Sequence, residues 1–218
     1  MIIGIDEAGI GPILGPLVVA GVAIDSADES ELINLGVKDS KRFGGTQKSR
    51  ELRTKIYQNA QPFIQKSFVV EIRAKDLDQA NMYDLEFTAI ADILTYLNWE
   101  KADKLYIAQL GQTKFQTMLR HLIAKEPRMI ELSFSDKVIY EIDADDKFTV
   151  VSLASILAKT QRDEAMVKLC HSINEDYISG YPNAKTAEFL NNYVSKHKSL
   201  PPETRRSRQW APLQALLK

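Results

Sequence analysis

Short apolar runs of strand length recur along the first two thirds of the chain, and most are rich in β-branched residues. Runs of this kind predict buried β-strands. A Gly- and Pro-rich stretch, residues 9–16, follows the first run and predicts a loop. The first three strands are expected to form an antiparallel meander, and the last is expected to continue or pair with the one before it. The predicted strands are Ile2–Ala8, Leu17–Ile24, Phe63–Arg73, Lys104–Gln109, Met129–Phe134 and Val138–Ile142.

Longer segments with helical periodicity separate and follow these runs. In Met82–Leu97 the apolar residues fall on one face, and Asn81 can cap the first turn. Val150–Ala158 is apolar nearly all round, which predicts the start of a helix buried in the core. The other predicted helices are Thr46–Asn59 with Thr46 as N-cap, Thr113–Ala124, Ala184–Val194 and Trp210–Leu217.

The order of these elements predicts an α/β fold with a mixed sheet. No internal repeat or interdomain linker interrupts the pattern. We therefore predict a single domain over residues 1–218, with a catalytic core over about 1–177 and a helical tail over about 178–218.

Composition narrows the class of protein. Of 218 residues, 44% are hydrophobic and 26% charged, which is typical of a folded globular chain. No apolar run approaches the roughly 18–20 residues that span a bilayer, and no signal peptide is expected. The single cysteine, Cys170, excludes an internal disulfide framework. We predict an intracellular, cytoplasmic monomer that does not bind membranes.

The charge distribution is uneven although the net charge is only −1. Residues 36–55 carry seven Lys or Arg against two acids, and residues 195–208 carry five against one. Each run is either solvated surface or a contact region for phosphates.

Carboxylates at two places in the sequence suggest a metal site. Asp6 and Glu7 end a strand whose other residues belong in a core, and adjacent buried carboxylates repel unless a cation lies between them. Mg²⁺ accepts oxygen ligands alone. Three further acids, Asp143, Asp145 and Asp146, precede the predicted core helix, and capping, by Asp146, would explain only one of them.

Four short motifs resemble the type 2 ribonucleases H, and specifically ribonuclease HII rather than its sister family, ribonuclease HIII. They keep the order and spacing of that family over about residues 2–190. The motifs are Gly4-Ile5-Asp6-Glu7-Ala8-Gly9-Ile10-Gly11-Pro12, Asp39-Ser40-Lys41, Val151-Ser152-Leu153-Ala154-Ser155-Ile156-Leu157-Ala158-Lys159 with Arg162-Asp163, and Gly180-Tyr181-Pro182.

This resemblance implies a ribonuclease H-like mixed five-stranded sheet flanked by helices, with a C-terminal helical extension. It also implies an endonuclease that hydrolyses the RNA strand of RNA:DNA hybrids, or of duplex DNA containing ribonucleotides, and leaves 5′-phosphates. Two divalent ions, Mg²⁺ or Mn²⁺, would activate a water and stabilise the leaving 3′ oxygen. A sliding clamp is a further possible partner.

The resemblance also assigns site residues. Asp6, Glu7 and Asp145 would be catalytic metal ligands. The substrate contacts would be Gly9, Ile10, Gly11, Lys41 and Tyr181, with the glycine loop reading the ribose 2′-OH.

Two positions depart from the family pattern. Ala108 stands where a further Asp ligand is expected, and Ile10 stands where the family has arginine. Ala108 is consistent with an Asp→Ala substitution that abolishes turnover, with a natural homologue of weak or no cleavage, or with a different register or another acid that compensates. A catalytically impaired or inactive hybrid-binding protein is therefore the alternative function. Ile10 removes a phosphate contact and leaves junction specificity open.

Overall fold

The structure, a computed structural model, describes residues 1–37 and 44–217. Its centre is a five-stranded sheet with strand order β3-β2-β1-β4-β5. The first three strands form an antiparallel meander, while β4 pairs in parallel with both β1 and β5. The predicted mixed sheet is therefore confirmed. The strands are β1 Ile2–Ala8, β2 Leu17–Ile24, β3 Ile64–Ile72, β4 Lys104–Ala108 and β5 Val138–Glu141.

Helices cover both faces of this sheet. The helix α7 packs on one face and α4 with α5 on the other, each over an apolar cluster. The approach is close at Gly4, where an added Cβ would lie 2.4 Å from the carbonyl carbon of Val150. The helices are α1 Glu29–Asn34, α2 Gln47–Ala60, α3 Ala74–Leu77, α4 Met82–Tyr96, α5 Phe115–Lys125, α6 Ala144–Lys147, α7 Thr149–Ser172, α8 Ala184–His197 and α9 Ala211–Leu216.

The predicted helix caps at the start of α2 and α4 are confirmed. The Thr46 side chain accepts a hydrogen bond from the Ser49 amide at 3.2 Å, and Asn81 accepts one from the Tyr83 amide at 2.9 Å. The capping role expected for Asp146 is wrong. Asp146 lies inside the short helix α6, and the N-cap of α7 is Phe148, which makes no side-chain cap bond.

One predicted strand is also wrong. The segment Met129–Phe134 lies in a 3₁₀ helix, Pro127–Phe134. Its buried apolar residues, Met129 and Leu132, are three positions apart, which suits a 3₁₀ helix and not an alternating strand. The Glu126 side chain also accepts a hydrogen bond from the Arg128 amide at 3.3 Å, which caps the turn. The fifth strand is therefore β5, which pairs with β4.

The C-terminal segment is bound to the loop that follows β1. The Ile13 amide donates to the Gly180 carbonyl at 2.7 Å, and the Arg205 amide donates to the Ile13 carbonyl at 2.8 Å. Leu190 and Leu213 of the tail pack with Ile13 in a small apolar cluster. The tail thus closes over the glycine-rich loop. Within residues 1–37 and 44–217, none of the helices has the length and hydropathy to cross a membrane.

Candidate metal and nucleic-acid site

Asp6 and Glu7 lie at the carboxyl end of β1. Their positions alternate between the two sides of the sheet, but their carboxyl groups are close enough at the strand end to interact. Asp6 shares its face with Ile2 and Ala8, which pack under α7. Glu7 shares its face with Ile5, which packs under α4. The Asp6 side of this edge is called the α7 face below, and the Glu7 side the α4 face.

The structure brings Asp6 and Asp145 together on the α7 face. Asp6 is only 8% exposed. Burial raises the pKa of its carboxyl group, the Ser155 hydroxyl opposes this rise, and the negative charge of Asp145 adds to it. Lys159, farther along α7, favours the ionised form of Asp6. Two acids from distant parts of the chain therefore interact electrostatically, and the Lys159 charge acts on the same carboxyl group.

The acidic turn that contains Asp145 is compact. Ligand oxygens of Asp143, Asp145 and Asp146 lie within 4.8 Å of one another. Asp143 adopts a left-handed backbone conformation, with φ of 54°, which is uncommon for a non-glycine residue. The turn also carries the charge of Asp145 that acts on Asp6 at the end of β1.

Ala108 occupies the position beside Asp6. Strands β1 and β4 pair in parallel with Ile5 opposite Ile107, so the next residues, Asp6 and Ala108, are neighbours on the α7 face. The register proposed from the sequence is therefore confirmed, and the methyl group of Ala108 offers no ligand.

The acid of β5 and the acid before β4 are both engaged in other ion pairs. Glu141 pairs with Ala108 across β4 and β5, but its carboxylate forms an ion pair with Lys147. Asp103 lies just before β4, at the opposite end, where it binds the amino terminus at 2.7 Å.

The glycine loop is held in a conformation that requires glycine. Gly9 has φ of +103°, and a Cβ there would lie 2.8 Å from Cδ of Arg162. Gly11 faces Tyr181, whose Cε1 would be 3.6 Å from an added Cβ. Tyr181 is 43% exposed, and its ring lies 5.1 Å from the Arg162 guanidinium carbon. Gly9, Gly11 and Tyr181 therefore form one surface, as the motifs predicted, although their substrate contacts remain predictions.

Ile10 points its side chain towards the apolar cluster under α4, where it is partly buried. Its carbonyl oxygen accepts hydrogen bonds from Arg205 Nη1 and from Arg208 Nη2. Arg205 also donates to the Gly15 carbonyl at 2.8 Å. The tail thus brings two guanidinium groups to the loop whose own arginine is replaced. In the sequence these arginines are recognisable only as part of a charged run, because nothing local links residues 205–208 to residues 10–15.

A cleft of about 420 Å³ opens next to Ala8, at the end of β1. Its cationic side chains are Arg53, Lys159 and Arg162. Asp163 holds Arg53 in an ion pair and accepts a hydrogen bond from Tyr177 at 3.1 Å. A cation-lined cleft beside a pair of carboxylates is a suitable surface for a phosphodiester backbone. Arg53 was missed from the sequence because its role depends on α2 packing against α7.

A further buried carboxyl group, Glu86 of α4, was also missed. Its charge contributes to the raised pKa of Glu7, after burial and the charge of Asp6. The only signal in the sequence was an acid on the apolar face of an amphipathic helix. Lys41, predicted to contact substrate, lies outside the described residues.

The donor groups fit a hard divalent cation. Asp6, Glu7 and Asp145 offer carboxylate oxygens only, the ligands that Mg²⁺ and Mn²⁺ prefer. Burial and the charge of a neighbouring acid raise the pKa of Asp6 and the pKa of Glu7. The ionised forms of both side chains are therefore unfavourable in the metal-free protein. A bound cation would remove that repulsion.

A mixed five-stranded sheet with carboxylates at the end of its central strand defines a ribonuclease H-like protein. A family model described as Ribonuclease HII matches residues 3–210. Because the match covers nearly the whole chain, this protein belongs to the ribonuclease HII family.

Individual relatives agree with this assignment. The ribonuclease HII of Thermococcus sibiricus is 38% identical over 218 residues, which cover 98% of this chain and 89% of that protein. The crystal structure of the ribonuclease H2 from Pyrococcus horikoshii is similar with a TM-score of 0.78 and 30% identity, over 99% of this chain and 96% of that one. A structure of the PCNA:RNase HII complex from Archaeoglobus fulgidus is similar with a TM-score of 0.78 and 28% identity, over 100% and 97%.

Proposed function

We propose that this protein is an endoribonuclease that cleaves the RNA strand of RNA:DNA hybrids with the help of divalent cations. One observation supports the proposal: the Asp145 charge acts on the buried Asp6 carboxyl group, and a cation-lined cleft opens next to Ala8, two residues after Asp6. The family assignment supports a nuclease of this class. Two Mg²⁺ or Mn²⁺ ions are proposed as the cofactors.

The residues divide into two groups by their chemistry. Asp6, Glu7 and Asp145 would hold the ions, which when bound activate a water and stabilise the leaving oxygen. Lys159, which favours the ionised form of Asp6, would keep that carboxylate charged and lie close to the scissile phosphate. The products would carry 5′-phosphate and 3′-hydroxyl ends.

The glycine loop would distinguish RNA from DNA. Gly9 lies against Arg162 and Gly11 faces Tyr181, and both of these side chains line the cleft, so backbone groups of the loop would offer hydrogen-bond partners to a ribose 2′-OH. The Tyr181 ring is exposed and would stack against a sugar. Lys41 would contact a phosphate.

Incubation with a labelled RNA:DNA hybrid and Mg²⁺ or Mn²⁺ tests the proposal. We expect cleavage at internal RNA positions with 5′-phosphate ends, and no cleavage of the all-DNA duplex of the same sequence. Equal cleavage of both duplexes would contradict RNA recognition. A DNA duplex with one embedded ribonucleotide shows whether the loop with Ile10 retains junction cleavage.

Ala108 favours a second candidate function, in which the protein binds hybrids without turnover. Residue 108, the neighbour of Asp6 on β4, offers no metal ligand, whereas the cation-lined cleft is intact. Fluorescence anisotropy with the same hybrid separates the two candidates. Binding without cleavage in either metal supports the second one and contradicts the first.

Partner binding is a separate proposal. The Archaeoglobus fulgidus relative is described in a complex with PCNA, a sliding clamp. We propose that this chain, as a cytoplasmic monomer, also binds a clamp. Size-exclusion chromatography with light scattering, with and without a clamp from an archaeal source, measures both properties. A molar mass of a dimer would contradict the monomer. An elution volume that does not change when the clamp is added would contradict clamp binding.

A further inference from the structure

Glu86 is the most unusual buried polar residue among those described. Its exposed fraction is 0%, and neither carboxylate oxygen has a hydrogen-bond partner within the described residues. An unpaired carboxyl group in an apolar environment is strongly destabilising. Such a group in a native fold suggests a missing partner, for example a water or an ion.

The position of Glu86 follows from the packing of α4. Ile93 of this helix lies over Gly21, where an added Cβ would be 2.3 Å from Ile93 Cγ2 and 3.5 Å from Ile5 Cγ1. Glu86 precedes Ile93 by two helical turns, so it lies on the same side of α4, about 10 Å along the axis. Glu7 is two residues beyond Ile5 on the same face of β1. Both carboxyl groups therefore lie at the α4 face of the strand end.

Electrostatic effects place the same groups together. Burial is the largest cause of the raised pKa of Glu7, followed by the charge of Asp6 and then by the charge of Glu86. Glu7 and Glu86 both contribute to the raised pKa of Tyr140, for which burial is the main cause. The charges of Glu7 and Glu86 therefore influence each other's surroundings, which agrees with the position that the packing of α4 gives to Glu86.

The arginines of the tail do not provide the missing partner. Arg205 and Arg208 attract the Glu86 charge, yet burial still raises its pKa to about 8. Arg205 donates Nε and Nη1 to loop carbonyls, and Arg208 donates Nη2 to the Ile10 carbonyl. Neither donates a hydrogen bond to Glu86 among the described contacts. The two guanidinium groups therefore favour an ionised Glu86 without binding it.

We propose that Glu86 is a ligand for a divalent cation at the α4 face, shared with Glu7. This inference rests on the proposed metal-dependent function and extends its ligand set. It restores the number of carboxylates at the strand end to four in a chain that has alanine at 108. The ion would lie on the Glu7 side, because the helix neighbours of Glu86, Phe87 and Ile90, pack in the cluster under α4, whereas Ala108 packs in the cluster under α7.

Isothermal titration calorimetry with Mn²⁺, without nucleic acid, tests this assignment. We expect Glu86→Gln to lower the Mn²⁺ affinity by about tenfold or more. Asp84→Asn is the matched control, because Asp84 lies on the same helix but is exposed and paired with His121. Glu141→Gln tests the other acid next to Ala108, and we expect it to leave the affinity within about twofold.

A second variant distinguishes a lost metal ligand from a disrupted fold. Glu86→Met removes the carboxylate and replaces it with an apolar side chain of similar length, so the fold should be retained. Circular dichroism checks both variants, and the Mn²⁺-induced rise in Tm gives a second measure of binding. The rise should be smaller in both Glu86 variants than in the unmodified protein.

Three results would overturn the inference. They are an unchanged Mn²⁺ affinity in both Glu86 variants, a loss of affinity in Glu141→Gln but not in Glu86→Gln, and no Mn²⁺ binding by the unmodified protein. A loss of Tm without a loss of affinity would make Glu86 a counter-charge for Arg205. The proposed function fails separately, if the unmodified protein binds Mn²⁺ but neither cuts nor binds a hybrid.

Discussion

The two faces of the sheet at the end of β1 carry similar acids in different surroundings. On the α7 face, Asp6 and Asp145 lie beside Lys159 and an open cleft of about 420 Å³. On the α4 face, Glu86 is fully buried among apolar residues and has no hydrogen-bond partner among those described. The first environment admits a phosphate, whereas the second excludes one. Asp6 and Glu7 are both proposed metal ligands, but alternation along β1 gives them different surroundings, because Asp6 belongs to the side under α7 and Glu7 to the side under α4.

Removal of a carboxylate from the α7 face should have the largest effect. We expect Asp6→Asn to slow hybrid cleavage at least about 10³-fold, equivalent to about 4 kcal/mol, because the amide cannot neutralise a shared cation. Single-turnover cleavage in Mn²⁺ measures this. Asp136→Asn, which changes an exposed acid far from the site, should cleave at the unmodified rate. Comparable rates for Asp6→Asn and the unmodified protein would remove the α7 face from catalysis.

The α4 face should determine the pH dependence of stability in the metal-free protein. Folding raises the pKa of Glu86 from 4.5 to about 8, mainly through burial. The folded state therefore binds more protons than the unfolded state between these values, and stability falls as pH rises through this range. We expect a loss on the order of a few kcal/mol in EDTA between pH 5 and pH 8.5.

Glu86→Met supplies the comparison for this effect. The variant lacks the titrating group, so its free energy of unfolding should change less over the same pH range. Urea unfolding at several pH values gives these energies. A pH dependence identical to that of the unmodified protein would show that the buried carboxyl group does not titrate in this range.

Restoration of an acid at position 108 should strengthen the α7 face. Asp6 and residue 108 are neighbours, so Ala108→Asp adds a ligand beside Asp6. We expect a cleavage rate about 10- to 100-fold higher, or about 1–3 kcal/mol. Ala108→Asn has nearly the same shape without the charge and should gain much less. No gain in Ala108→Asp would mean that the unmodified site is already complete.

The smallest expected effect concerns the cleft. Lys159→Ala should weaken hybrid binding by about 1 kcal/mol and reduce the salt dependence of the affinity by about one counterion. Lys168→Ala, an exposed lysine of the same helix, should change neither quantity. Anisotropy at several NaCl concentrations measures both. Equal losses in the two variants would indicate a diffuse charge effect instead of a defined contact.

Much of the fold could be predicted because its signals are local. The strands β1 and β2 agree with their predicted bounds, and the caps Thr46 and Asn81 form the expected bonds. The error at Met129–Phe134 has a local cause too, since a short apolar run does not distinguish a strand from a 3₁₀ turn.

The candidate site could be predicted only in part. Asp6, the glycines and Tyr181 belong to motifs, and Asp145 was assigned by the family resemblance. In the structure the Asp145 charge acts on Asp6, Gly11 faces Tyr181, and Tyr181 lines the cleft. Their roles remain predictions. Arg53, Arg205 and Glu86 carry no motif, because each acts through residues more than 50 positions away.

By itself, the sequence determined the strands, the helix caps, the family and the identity of the acids, because these depend on residue type and short-range spacing. Only the tertiary structure decided which acids face the cleft and which is enclosed. It also decided that the arginines of the tail reach the glycine loop. The physical reason is that burial and charge pairing depend on packing between distant segments, and these contacts determine whether a carboxylate is solvated, paired or isolated.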